Sequence, residues 1–246
     1  MSEHITIPEQ HSRTARVLGM DAVDVLRASH VAVFGIGGVG GHLVEALARA
    51  GVGHLSLFDR DVVSLSNINR QVVALHSTVG RTKVDVMAER IQDINPDCKV
   101  TAHHLFYLPE TADGVDLGTY DYIADAIDNM AAKIELVTRS NNAGVPIISA
   151  MGAGNKLYPE RFTVTDLYKT ATDPLARIMR RELKARGVKK LKVVYSEEAP
   201  LPVRPETCDE GERPSPGSLS FVPGVMGMIM AGEIIRSLTA MPHNPT

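Results

Sequence analysis

The sequence predicts an α/β protein built on a doubly wound, mostly parallel sheet, and three observations carry that prediction. Residues 30–36, "HVAVFGI", form a short, β-branched and almost wholly apolar run, the pattern of a strand buried on both faces. The run passes directly into a glycine-rich turn, "GIGGVGG" at 35–41, and then into a helical stretch. From there to about residue 150, apolar runs of strand length alternate with helical stretches, the order that gives parallel strands joined by crossovers.

Ahead of the first strand, residues 11–29 mix Val17, Leu18, Val23, Val25 and Leu26 with Arg13, Arg16, Asp21 and Asp24, which reads as short amphipathic helical pieces. Residues 38–50 carry Gly41, Ala46, Ala48 and Ala50 and predict a helix that packs through small residues. "HLSLFD" at 54–59 predicts a second strand ending on Asp59, so strand, glycine turn, helix and strand fit into about 30 residues as a Rossmann-like unit. Further along, the pattern predicts a helix over 81–94, a strand around 99–105, a buried strand over 120–128, a helix to about 142 and a strand over 145–150. Beyond Gly154 the alternation loosens: strands are expected at 161–167 and 191–196, a basic helix at 174–186 and a last apolar helix at 224–238. Residues 197–218 hold five prolines and many charges and predict a surface loop. The chain reads as a single domain, with a nucleotide-binding half at 11–155 and an extended substrate-facing half at 156–246 that completes the sheet.

Composition narrows the function classes. The 246 residues are 44% hydrophobic and 22% charged, as in an ordinary globular protein. A net charge of −3 argues against indiscriminate coating of nucleic acid, so an RNA partner needs a local basic patch. With only Cys98 and Cys208, one chain can build neither a disulfide framework nor a four-cysteine zinc site. The N-terminal "MSEHITIPEQ" lacks the pattern of a secretory signal, and the apolar stretch from Leu219 to Ala231 is too short for a membrane span, so a cytoplasmic protein with no membrane span is expected.

The turn with Gly35, Gly37, Gly38 and Gly40 suits any diphosphate held against backbone N–H groups at a helix N-terminus, and does not by itself choose a nicotinamide, a flavin or another nucleotide. A dehydrogenase needs little more than that turn and an acid on the ribose. This sequence supplies more. Asp59, Asp61, Asn67, Asn69, Arg70 and Gln71 follow the second strand, Lys83 opens the next helix, and Asp128 is expected at the C-terminal end of the strand over 120–128. All fall on the carboxyl edge of the predicted sheet, where such folds bind ligands. An arginine, a lysine and a carboxylate converging on a glycine turn suit a triphosphate and its Mg²⁺. Each residue also has a purely structural reading: Asp59 as a strand cap, Asp128 as a helix N-cap, Arg70 and Lys83 as solvated charges. His103 and His104 are neighbours on a predicted strand and point to opposite faces, a poor arrangement for one metal.

The stretches "GIGGVGG" (35–41), "LFDRDVVSLSNINRQ" (57–71), "GRTKVDVMAERIQDINP" (80–96) and "AIDN" (126–129) together resemble the ubiquitin-activating-enzyme superfamily, in its ThiF/MoeB-like branch of bacterial adenylyltransferases. The resemblance implies that Asp59 binds the ribose of ATP, that Asn67, Arg70 and Lys83 contact its phosphates, and that Asp128 holds Mg²⁺. It implies a catalytic set of Arg16, Arg70, Lys83 and Asp128, with Asp61 and Gln71 also at the nucleotide. Arg16, in "TARVLG" (14–19), looks like the arginine that reaches the ATP of a second subunit, which implies a homodimer. The sulfur-carrier members typically carry two CxxC pairs, which this chain lacks. The alternative of an adenylyltransferase acting on a ubiquitin-like carrier C-terminus is thereby weakened; Cys208 reads as an incidental loop cysteine rather than a transfer thiol, and the resemblance leaves room for a sulfur-transfer or cysteine-desulfurase partner.

A narrower likeness extends over almost the whole chain. "TARVLG", "VTDLYKTATDPLARIMRRELKARGV" (164–188), "VVYSEEAPLPV" (193–203) and "PGSLSFVPGVMGMIMAGEIIRSL" (216–238) resemble the tRNA threonylcarbamoyladenosine dehydratases. That family implies adenylation of the threonyl carboxylate by ATP with loss of pyrophosphate. Attack by the carbamoyl oxygen then closes an oxazolone ring and releases AMP. An intramolecular nucleophile has a high effective concentration, so this chemistry needs no enzyme thiol. Independently of any family, residues 177–192 hold eight basic side chains against the single acid Glu182. Arg177, Arg180, Arg181 and Lys184 share one helical face and form a candidate stripe for tRNA phosphates. Tyr158, Phe162, Tyr168 and Tyr195 are the nearby aromatics available for stacking on loop bases.

Overall fold

The computed structural model describes residues 8–204 and 216–241; Cys208 and the middle of the proline-rich loop lie outside the described residues. Helices α1 (Ser12–Leu18) and α2 (Met20–Ala28) lead into β1 (His30–Phe34), α3 (Gly40–Ala50), β2 (His54–Phe58), α4 (Lys83–Ile94) and β3 (Lys99–His103). Then follow β4 (Tyr122–Asp125), α5 (Met130–Ala143), β5 (Ile147–Ala150), β6 (Phe162–Asp166), α6 (Pro174–Ala185), β7 (Lys192–Ser196) and α7 (Val222–Leu238). The strands form one seven-stranded sheet in the order β3-β2-β1-β4-β5-β7-β6. Neighbours run parallel except β6, which pairs antiparallel with β7. The C-terminal strands thus complete the sheet begun by the first half. Strand order reverses between β1 and β4, and the crevice beyond their carboxyl ends is where this architecture takes a ligand.

The apolar run over β1 has the reason its composition predicts. Val31 and Val33 face one layer with Leu43, Val44 and Leu47 of α3, whereas Ala32 and Phe34 face the other with Phe58, Ile123 and Leu136. In α7, Val222, Met226, Met230 and Ile234 recur every four residues and enter the same layer as α3. α6 begins where Asp173 accepts a hydrogen bond from Ala176 N at 2.9 Å with Pro174 at the first helical position, a strong start signal. Among the boundaries that differ from the sequence reading, one bears on the site. β4 ends at Asp125, because that carboxylate accepts from Ile127 N at 3.2 Å and turns the chain out of the sheet. Asp128 therefore stands three residues beyond the strand, in the loop, rather than at its end.

At the amino edge of the sheet, His30 and His54 stack with ring centroids 3.5 Å apart. His30 Nε2 hydrogen-bonds with Ser56 Oγ at 2.8 Å, and His54 Nε2 with Thr101 Oγ1 at 2.9 Å. Burial holds His54 down to about 4, helped by the charges of His30 and Lys99. Burial likewise lowers His30. A histidine kept neutral in the fold but protonated near 6.5 when unfolded stabilises the protein above about pH 6.5 and loses that contribution as pH falls toward about 4. Thermal unfolding midpoints measured between these limits should fall with pH, and His54→Gln should flatten the fall.

Candidate nucleotide site

The glycine turn is fixed first by backbone packing. Gly35 has φ +92°, and a Cβ there would lie 2.6 Å from the Ala126 carbonyl oxygen. At Gly40 a Cβ would lie 1.7 Å from the Gly35 oxygen, so the turn closes only with glycine at both positions. Gly37 differs: the nearest atom to its added Cβ would be Gln71 Nε2 at 3.9 Å, so protein packing gives no reason for glycine there. Its open side is the wall of a cavity of about 430 Å³ that spans the carboxyl ends of β1, β2, β4 and β5.

Charged residues from the β2–α4 connection, the first turn of α4 and the β4–α5 loop line that cavity. Asp59, just past β2, accepts from Ile36 N at 2.7 Å and from Asp61 N at 2.8 Å, binding the two strand ends together. A carboxylate has about four lone-pair sites, so acceptor capacity remains for a ligand hydroxyl. Lys83, buried at the first position of α4, forms an ion pair with Asp61 at 2.8 Å. Arg70 donates through Nη1 to Ser66 O at 3.2 Å and Asn69 Oδ1 at 2.9 Å, neutral acceptors that leave its charge uncompensated. Asp128 also lines the cavity, and among the described residues its carboxylate has no hydrogen-bond or ion-pair partner. The N-cap of α5 is Asn129, whose Oδ1 accepts from Ala132 N at 3.0 Å. The capping role therefore falls to its neighbour, and the Asp128 carboxylate is left for something outside the fold.

Other groups were not singled out by sequence reasoning. Tyr107 and Ser218 line the cavity with buried, partnerless hydroxyls; Gln71, which the sequence did place at the nucleotide, lines it with a buried, partnerless Oε1. Burial pushes the Tyr107 phenol up to about 12, so it stays protonated as a donor. Buried polar atoms are normally hydrogen-bonded, and three of the four exceptions among the described residues meet here. Arg60 lies over the Phe106 ring at 3.9 Å, both at the cavity wall. A usable signal was present for Phe106 and Tyr107: they follow β3 directly, on the ligand-binding edge.

Not every candidate converges. Asn67 Oδ1 accepts from Ser64 N at 3.2 Å in a local cap, and Asn67 is not among the lining residues. Gly40 closes the turn from behind. Arg16 is exposed on α1, a helix without buried residues, away from this chain's cavity. α6 buries Ala176, Met179 and Leu183 and exposes Arg177, Arg181 and Lys184 on the other side. Arg180 is half-buried and donates to the Thr170 carbonyl at 2.9 Å, and Arg181 pairs with Glu182 at 2.8 Å. Cys98 is buried, with its thiol pushed up to about 11, and is inert packing rather than a nucleophile.

Residues 11–246 match the family model described as the ThiF family. The chain belongs to the ThiF family. This ThiF-family chain is 43% identical over 239 residues to the tRNA threonylcarbamoyladenosine dehydratase of Bacillus subtilis, covering 93% of this chain and 94% of the relative. It superposes with TM-score 0.87 and 35% identity on the crystal structure of the E. coli tRNA N6-threonylcarbamoyladenosine dehydratase in complex with AMP, covering 96% of this chain and 98% of that one. The same enzyme in complex with ATP superposes with TM-score 0.84 and 34% identity over the same shares.

Proposed function

We propose that this ThiF-family chain binds ATP in the cavity at the glycine turn and dehydrates threonylcarbamoyladenosine in tRNA by adenylating its carboxylate. One observation carries the chemistry: Asp128, whose carboxylate has no partner among the described residues, lines the same cavity as Arg70 and Lys83. That is the arrangement a triphosphate and a cation need, and a nicotinamide dinucleotide does not. The near full-length likeness to the dehydratases selects the substrate.

The chain's own groups have separable roles in this reading. The first turn of α3 and the glycines before it face the phosphates with backbone N–H groups, and Asp59 takes the ribose. Arg70 and Lys83 stabilise charge that develops as pyrophosphate leaves. Asp128 fits Mg²⁺, which characteristically uses one or two protein carboxylates with phosphate oxygens and water; when bound, the ion neutralises phosphate charge. The Arg60–Phe106 stack gives a planar ring a flat wall. Once the threonyl carboxylate is an acyl adenylate, the tethered carbamoyl oxygen closes the ring, AMP leaves with a carboxylate oxygen, and the residue is one water lighter. Positioning suffices because intramolecular attack carries effective molarities of about 10⁵ M or more.

The half at 156–246 faces the RNA in this reading, with Arg177, Arg181 and Lys184 directed to backbone phosphates. A homodimer in which Arg16 of each subunit completes the other's nucleotide site rests on the family resemblance, with which the exposure of Arg16 on α1 is compatible, and a sulfur-transfer partner likewise enters only through resemblance. Among the described residues no helix is long and apolar enough to cross a membrane, which agrees with a cytoplasmic site of action. Incubation with ATP, Mg²⁺ and tRNA bearing threonylcarbamoyladenosine should yield a nucleoside lighter by one water, read by mass spectrometry. Recovery of unaltered nucleoside, with an acyl adenylate on a ubiquitin-like carrier instead, would replace this reading.

A further inference from the structure

Of the four aromatics placed near the substrate half, the structure leaves one at the surface. Phe162 and Tyr195 are buried, and the Tyr168 hydroxyl donates to the Val188 carbonyl. Tyr158 is 45% exposed, and the Arg161 guanidinium lies over its ring at 4.8 Å. Leu157 and Leu201 are also exposed. Solvent-facing large side chains ordinarily sit on pliable loops, but this one is clamped. The buried Glu198 carboxylate accepts from Leu157 N at 2.8 Å and Tyr158 N at 3.1 Å, and the buried Lys156 donates to the Glu198 carbonyl at 2.6 Å.

The same loop is tied to the cavity. Asn155 N donates to Gly217 O at 2.8 Å, and Gly217 N donates to Asn155 Oδ1 at 2.6 Å. Gly217 lines the nucleotide cavity, as do Gly152 and Gly154 at the start of the loop. An exposed aromatic ring backed by a guanidinium, on a loop whose backbone is pinned and whose first residues line the cavity, has the chemistry that binds unstacked nucleobases in single-stranded RNA. Pre-ordering lowers the entropy lost on binding.

We propose that Tyr158, backed by Arg161, is the platform on which a loop nucleobase of the RNA substrate stacks when the modified adenosine enters the cavity. This rests on the tRNA reading above and adds the contact that holds the opened loop.

The test uses the full chain and tRNA bearing threonylcarbamoyladenosine, in steady-state dehydration assays and in binding titrations across salt. Tyr158→Ala and Tyr158→Leu should each weaken tRNA binding and raise its KM about 10-fold, while Tyr158→Phe stays within about twofold. ATP affinity without RNA should be unchanged in all three. Stacking is not charge neutralisation, so the salt slope should keep its wild-type value in the alanine variant. Wild-type tRNA affinity in Tyr158→Ala, or in Tyr158→Leu, would overturn the platform. Failure of the wild-type protein to dehydrate the tRNA would instead overturn the functional reading, so the two failures are distinguishable.

Discussion

Asp128→Ala lowers ATP-dependent dehydration and pyrophosphate exchange by about 10³-fold, with the unfolding midpoint within about 2 °C of wild type. The two halves of that expectation have separate causes. No described residue bonds to the Asp128 carboxylate, and Asn129 rather than Asp128 caps α5, so truncation removes nothing the fold uses. Asp128 does line the cavity that Arg70 and Lys83 also line, where an uncompensated phosphate charge is most costly to the transition state. Arg70→Ala gives a useful contrast. It should lose activity by about 10²- to 10³-fold and also a little stability, because its Nη1 binds Ser66 O and Asn69 Oδ1. Assaying both variants over a range of Mg²⁺ separates them, since only the Asp128 variant should shift toward a higher Mg²⁺ requirement. Near-normal exchange in Asp128→Ala would move the cation to another residue.

The fold was legible because its local signals agree with one another. A buried parallel strand must be apolar on both faces, and "HVAVF" is; a strand-to-helix turn that presses against the next strand must be glycine at Gly35 and Gly40, and it is. The strand limits at β4 were less legible. "YDYIADAID" continues apolar past Asp125, and nothing in the residue pattern says that the Asp125 carboxylate will catch Ile127 N and end the strand. The antiparallel β6 was legible as a strand but not in direction, which depends on how the chain between β5 and β7 folds back.

The site divides in the same way. Charged residues clustered after β2 announce themselves, so Asp59, Arg70 and Lys83 could be placed at the cavity from spacing alone. Ser218 could not, and Tyr107 only by its place after β3, because a hydroxyl becomes informative only when burial strips it of water and of partners. Asn67 shows the converse: the residue type and position suit a phosphate contact, but its amide oxygen serves a local cap. On α6, periodicity placed four basic residues on one face, yet Arg180 is drawn down to the Thr170 carbonyl and only its neighbours remain fully in solvent.

Lys133→Met should cost the protein about 3–5 kcal/mol, lowering the unfolding midpoint by about 6–20 °C. In sequence Lys133 is an ordinary lysine on a helix. In the fold it is fully buried and pairs with the fully buried Asp125 at 2.9 Å. The same ammonium donates to the Ile127 carbonyl at 3.1 Å, and the Asp125 carboxylate also accepts from Ser149 Oγ. Truncating the lysine strands a carboxylate in the sheet, and that unpaired charge is costlier than the pair itself is beneficial. The loss should therefore be largely recovered by Asp125→Asn in the same chain, which removes the stranded charge, and a double-mutant cycle from thermal or urea unfolding measures the coupling. The pair also props the backbone at Ile127, one residue before Asp128. At temperatures where Lys133→Met remains folded, its Mg²⁺ requirement should thus rise in the direction of the Asp128 variant. A midpoint shift below about 2 °C would mean that water replaces the ammonium and that the pair is not what holds this loop.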